Sequence, residues 1–167
     1  AAYANNAADI DAIKALPSGD ITLGEKITEN VGKIGEKLDI TSYERLTADQ
    51  VVPYIHAGSK LGVLVGLSNT NGADVVEAGK DVAMQIAAMN PIAVDKDGVD
   101  ASLVEKEIEI GKEQARAEGK PEQMLEKIAM GKLNKYYKEN TLLAQAFVKD
   151  NSVNISQYLD GVSKGLT

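Results

Sequence analysis

Apolar positions along the chain follow two rhythms, one repeating every three to four residues and one alternating, and the switches between them mark its elements. From Ala1 to Leu16 good helix formers dominate, Ile10, Ile13 and Leu16 trace a partial stripe, and Pro17-Ser18-Gly19-Asp20 stops that predicted helix. Leu23, Ile27, Val31 and Ile34 share one face of a second helix over Leu23 to Gly35. Helical spacing lapses between Leu38 and Leu46, where Ile40, Thr41 and Tyr43 predict an extended piece. Val51 to Ile55 and Leu61 to Leu67 are β-type runs joined by His56-Ala57-Gly58-Ser59-Lys60, a hairpin in which Pro53, lacking an N–H, requires an edge or a bulge.

After the polar turn Ser68 to Ala73, the helical period returns with Val75, Val76, Gly79, Val82, Ala83, Ile86 and Ala87, and Asn90-Pro91 ends it. This helix is expected to lie on the sheet, with Met84 and Met89 filling its core. Ser102-Leu103-Val104-Glu105 has the spacing of a capping box and predicts a helix from Leu103, with Val104, Ile108, Gly111 and Ala115 on one face. Gly119-Lys120-Pro121 breaks it, and Pro121 suits the first position of a helix carrying Leu125, Ile128, Ala129, Leu133, Tyr136 and Tyr137. So short a break implies an antiparallel helical hairpin. Its arms carry opposite net charge, −2 from Glu105 to Glu118 and +1 from Glu122 to Glu139, which favours their pairing while apolar burial does most of the holding. The tail, Phe147 to Leu159, reads as a short extended piece, a polar loop at Asp150-Asn151-Ser152, and a small helix ending near Gly161.

The bulk numbers narrow what such a chain does. Its 167 residues allow one ordinary domain or two small lobes, and 44% hydrophobic with 26% charged residues is a globular composition. A net charge of −7 with no segregated basic patch disfavours nucleic acid as a partner. There is no cysteine, hence no thiolate nucleophile or Cys-based metal site, and no apolar run of membrane-spanning length. The expectation is a cytoplasmic protein that uses neither membrane nor cofactor.

Candidate chemistry is sparse. Gly19-Asp20-Ile21-Thr22-Leu23-Gly24-Glu25-Lys26 resembles a phosphate loop, but Glu25 stands where the lysine is needed. His56 is the only histidine, so no imidazole pair can hold a metal, and nothing beside it in sequence positions it as a general base. Glu105 and Glu107 do not share a helix face and read as a solvated surface. The residues alone therefore predict neither a catalytic nor a metal site.

Three segments, in order and in register, resemble the elongation factor Ts family. Tyr54-Ile55-His56-Ala57-Gly58-Ser59-Lys60-Leu61-Gly62-Val63-Leu64-Val65 is similar to its signature hairpin and Asp81 to Pro91 to the helix that follows. Gly119-Lys120-Pro121 through Gly131-Lys132-Leu133 is similar to the turn and second arm of its helical hairpin. The resemblance implies an α+β fold of two small antiparallel-sheet and helix subdomains, the first incomplete, with a projecting antiparallel helical hairpin. On this chain that corresponds to residues 1–48 for the partial first subdomain, 49–101 for the second, 102–139 for the hairpin and 140–167 for the segment returning to the second.

It also implies a function. Members bind GDP-loaded elongation factor Tu, disturb its magnesium and phosphate environment and leave a nucleotide-free complex that GTP resolves; no bond is made, so the chain is not expected to be an enzyme. The family's contact positions carry over to Ile34 and Gly35, within Lys33-Ile34-Gly35-Glu36, and to His56, with Tyr54 and Leu61 as further candidates that packing alone could also explain. The family's N-terminal helical module, its Thr-Asp-Phe-Val motif and its C-terminal strand have no counterpart in these residues. The expectation is a fragment that keeps a partner-binding face with weak or no exchange activity. Two other readings compete: an oligomerisation module whose helical hairpin pairs with a second copy as a homodimer, and a small enzyme built around His56.

Overall fold

The computed structural model describes all residues except Ala1, Tyr3, Ala57, Ser59 and 165–167, and its contacts divide the chain into two units, 1–45 and 46–167. In the first unit, α1 covers only Ile10–Lys14, shorter than the Ala-rich composition predicts. Asn6 adopts a left-handed conformation (φ 50°) that no helix tolerates, and the Asp9 carboxylate accepts the Ala12 N–H at 2.8 Å, which starts the helix there. Pro17-Ser18-Gly19-Asp20 does more than stop it: β1 (Pro17–Ser18) and β2 (Ile21–Thr22) form a small antiparallel hairpin turning at Gly19. Next comes α2 (Leu23–Ile34), capped reciprocally by Thr22 and Glu25 and ended by Gly35 at φ 77°. Leu38 to Leu46, predicted to be extended, joins no sheet. Within this unit, Ala7 and Ile13 are buried, and Lys14 pairs with Asp39 at 2.7 Å.

The second unit begins with the predicted hairpin, β3 (Gln50–Ile55) against β4 (Gly62–Leu67), in an unbroken register from Gln50 opposite Leu67 to Ile55 opposite Gly62. The His56 N–H donates to the Leu61 carbonyl at 2.9 Å, so hydrogen-bonded rungs fall at 56/61, 54/63 and 52/65, and Pro53 lies on a non-bonded rung where its missing N–H costs the ladder nothing. Helix α3 (Val76–Met89) lies across one face. The approach is closest at Gly79, where a Cβ would stand 2.5 Å from Val52 Cγ2. Asn90, in the left-handed conformation (φ 44°), ends α3 and leaves Met89 exposed, so of the two methionines predicted to fill the core Met89 does not.

The hairpin of α4 (Ala101–Ala117) and α5 (Glu122–Asn140) follows. The expected Ser102 cap is displaced: the Asp100 carboxylate accepts the Ser102 N–H at 2.8 Å, so the helix starts two residues before Leu103. Pro121 is likewise the cap rather than the first helical residue, with extended ψ of 141°. Gly111 lets the arms touch, since a Cβ there would meet Ala129 Cα at 3.0 Å, and Ala115, Leu125, Ala129 and Leu133 are buried along the seam. Lys112 bridges to Glu126 at 3.0 Å and Arg116 to Glu122 at 2.9 Å, exposed pairs that add little beside this burial.

The chain then returns to α3. A parallel bridge joins Ala93 to Thr141, and the Leu142 and Leu143 N–H groups donate to the carbonyls of Ala93 and Val94, both at 2.9 Å. Strands β5 (Ala146–Phe147) and β6 (Asp150–Asn154) pair before α6 (Ile155–Lys164), so the predicted polar loop at 150–152 is a strand and the last helix runs past Gly161. Val65, Val82, Ala83, Leu142, Phe147 and Ile155 form the core that closes this unit. Inside it Gln85, fully buried, donates to the Ala146 carbonyl at 3.1 Å and accepts the Val148 N–H at 2.9 Å. A clasp reinforces the junction: Asp81 on α3 pairs with Lys149 and accepts the Tyr158 hydroxyl at 2.9 Å, while Tyr158 stacks on Phe147 with ring centroids 4.5 Å apart. The fold is α+β.

Candidate functional site

The β3–β4 hairpin has two apolar faces but only one helix to cover them. Alternation directs Val52, Tyr54, Val63, Val65 and Leu67 toward α3, and it leaves Val51, Pro53, Ile55, Gly62, Leu64 and Gly66 on the opposite face, none of them charged. At the Gly66 end Leu46 and Ala48 lie against that face, with Leu46 Cδ2 3.2 Å from where a Gly66 Cβ would be. Toward the loop it is open, with Ile55 65% and Leu64 51% exposed, while on the α3 side the last rung leaves Leu61 43% exposed. Large exposed apolar side chains of this kind are enriched in the cores of protein-binding surfaces.

His56 sits at that end, exposed, with its backbone held by the last hydrogen-bonded rung to Leu61. Its Nδ1 lies 3.1 Å from the hydroxyl of Tyr54, whose ring packs against the core. The two rings stand 5.9 Å apart at 48°. Of the five residues predicted to meet a partner, the hairpin thus brings Tyr54, His56 and Leu61 together. Ile34 and Gly35 are in the first unit, where Ile34 is 58% exposed at the end of α2 and Gly35 is the left-handed residue that ends the helix. Ile55 and Leu64 were not singled out in the sequence, although a signal existed: both strands are apolar at odd and even positions, and a two-stranded sheet backed by one helix must expose one of those sets.

The phosphate-loop look-alike has a structural explanation. The Glu25 carboxylate accepts the Thr22 N–H at 2.7 Å and the Thr22 hydroxyl at 2.8 Å, and these bonds lower its pKa. A carboxylate thus occupies the helix start where a phosphate would need free amides. Among the described residues no carboxylate hydrogen-bonds to the His56 ring, and none form a three-residue cluster able to hold a metal.

With this geometry in place the comparisons with known proteins are decisive, because the profile of the family described as elongation factor TS matches residues 1–167, the whole chain. The chain belongs to the elongation factor Ts family. It is 64% identical over 167 residues to the elongation factor Ts of Cytophaga hutchinsonii, covering 99% of this chain and 60% of that protein. Against the elongation factor Ts of Amoebophilus asiaticus the identity is 57% over 165 residues, again 99% and 60% of the two chains. That of Porphyromonas gingivalis is 44% identical over 161 residues, 96% of this chain and 58% of its own length. The chain thus spans about 60% of the length of such relatives. Among the described residues no helix is long and apolar enough to cross a membrane.

Proposed function

We propose that the chain carries the partner-binding face of a guanine nucleotide exchange factor acting on elongation factor Tu in translation, in its GDP-bound and nucleotide-free forms. The observation that carries this reading is the β3–β4 hairpin, which in a member of the elongation factor Ts family presents exposed His56 and Leu61 on one side of its tip and open Ile55 and Leu64 on the other. Tyr54, His56 and Leu61 form one part of the contact, and Ile34 with Gly35 the other. The site works by binding, without a cofactor and without chemistry of its own, and the cytoplasm is where it meets its partner. If the factor weakens nucleotide binding by some ratio, nucleotide weakens factor binding by the same ratio, because the two events close one thermodynamic cycle.

The test is capture of nucleotide-free elongation factor Tu on the immobilised chain, followed by titration with GDP. Release as GDP rises supports the reading; binding indifferent to GDP refutes the coupling.

A further inference from the structure

We infer that Tyr54 is a positioning residue for His56: its hydroxyl donates to Nδ1, holds the imidazole as the Nε2–H tautomer and turns that donor outward beside exposed Leu61, so the partner surface must present a hydrogen-bond acceptor there. The first half stands on this chain alone. The second half rests on the proposed exchange-factor reading.

Tyr54 is on β3 and His56 follows its last residue, where its N–H still bonds to Leu61, so the two side chains project from the same side of the hairpin. The Tyr54 ring is anchored against the core and the His56 backbone is fixed by the rung to Leu61, so the 3.1 Å contact joins two groups with little freedom to drift. At 5.9 Å and 48° the rings are too far apart and too tilted to stack flat, which leaves the hydrogen bond to set the imidazole's orientation. Two arrangements satisfy it. In one the phenol donates to a bare Nδ1; in the other Nδ1–H donates to the phenol oxygen. A phenol is a good donor and a poor acceptor, an unprotonated imidazole nitrogen is a good acceptor, and the Tyr54 hydroxyl has no other acceptor among the described residues. The first arrangement therefore holds, and the nitrogen left with the proton is Nε2.

A donor fixed in this way selects what docks on it. Leu61, across the last rung from His56, flanks it with exposed apolar surface, and a partner that covers Leu61 removes water from Nε2–H. A buried donor without an acceptor is penalised by its full desolvation, so the partner must supply a carbonyl or carboxylate oxygen, and a cationic group at that point is rejected. An unanchored imidazole, sharing its proton between both nitrogens, would offer this donor only part of the time.

His56 is the only histidine, so nitrogen-15 NMR of the labelled 167-residue chain, on the alkaline side of the imidazole range, reads both ring nitrogens without assignment ambiguity. The wild type is expected to show a protonated Nε2 and a bare Nδ1, and Tyr54→Phe to move both signals toward a mixture of tautomers. A protonated Nδ1 in the wild type, or an unchanged pattern in Tyr54→Phe, overturns the inference. In the binding arm, Tyr54→Phe weakens capture of nucleotide-free elongation factor Tu roughly three- to tenfold, the range of one hydrogen bond. In a His56→Phe background it has no further effect; additive losses would mean that Tyr54 acts independently of the imidazole and would sink the positioning role. If the wild type captures no elongation factor Tu, the exchange-factor reading and the acceptor on its partner fall together, and the NMR still decides the tautomer.

Discussion

Replacing Gly79 by alanine sets two magnitudes against each other. Alanine is the better helix former by about 0.8–1 kcal/mol, so in an exposed helix the change would stabilise. At Gly79 the new methyl would lie 2.5 Å from Val52 Cγ2 and 2.9 Å from Val52 Cβ, where carbon atoms prefer about 3.5–4.0 Å. Val52 is only 2% exposed and sits in the middle of β3, so it cannot swing away, and α3 must lift off the sheet instead. Overpacking of this severity costs about 3 kcal/mol, which leaves a net destabilisation of about 2 kcal/mol and lowers Tm by on the order of 5–10 °C. Urea denaturation followed by circular dichroism at 222 nm measures it. A second variant locates the cause: Val52→Ala alone costs about 2 kcal/mol through its cavity, but combined with Gly79→Ala it costs less than the sum by at least about 1 kcal/mol, because the new methyl enters the vacated space. A Gly79→Ala protein as stable as the wild type, or strictly additive costs, would refute the close packing of helix on hairpin.

Gln85→Leu should destabilise by about 2–3 kcal/mol in the same assay, because it strands the buried Gln145 side-chain oxygen and the part-buried Val148 N–H and Ala146 carbonyl; a near-neutral result would mean water or backbone adjustment replaces the amide. Burial, then the bond to Asp81, pushes the Tyr158 hydroxyl up to about 12, whereas an unfolded tyrosine ionises near 10. Between those values the unfolded state binds fewer protons, so its contribution of about 1–2 kcal/mol, reduced by partial exposure, is intact below pH 10 and is lost as pH rises toward 12. Urea midpoints of wild type and Tyr158→Phe at pH 8 and pH 11.5 should therefore converge, and a gap that does not narrow contradicts the clasp. The homodimer alternative is best probed at Met124 and Met130, both exposed on α5, because Leu125 and Leu133 are consumed within the hairpin and charging them would unfold it. Light scattering of Met124→Asp and Met130→Asp should give an unchanged mass, and dissociation of a wild-type dimer by either would favour self-pairing there.

Long periodic segments were legible in the sequence, and short ones governed by a single side chain were not. Helices α3, α4 and α5 each repeat an apolar face over three or more turns, and β3 with β4 read as a hairpin because two apolar runs flank a glycine-containing loop. Composition misled where one residue overrode it: Asn6 and Asp9 shorten an Ala-rich helix to five residues, and Asp100 takes the cap from Ser102 because it stands earlier on the same turn. The Thr22 to Glu25 capping box was readable at the start of α2, where the sequence showed only the outline of a phosphate loop that Glu25 rules out. Asp150–Asn154 is too polar for a strand by propensity and becomes one because Phe147, Val153 and Ile155 pack onto α3 around it. Gln85 carried no warning at all, since its partners lie about sixty residues further along the chain. Of the site, His56 and its neighbours were legible only through family resemblance; the open apolar face followed from strand alternation and was missed.

Pro53 bears on a hazard that any short, two-stranded sheet faces. The rung order turns the backbone groups of Val51, Pro53 and Ile55 outward along the free edge of β3, and a stray extended chain seeking to lengthen the sheet there would need three donors in a row. It finds a ring in place of the middle one. Greasy side chains can thus stay on show for a legitimate visitor while that border gives little purchase to amyloid-like stacking.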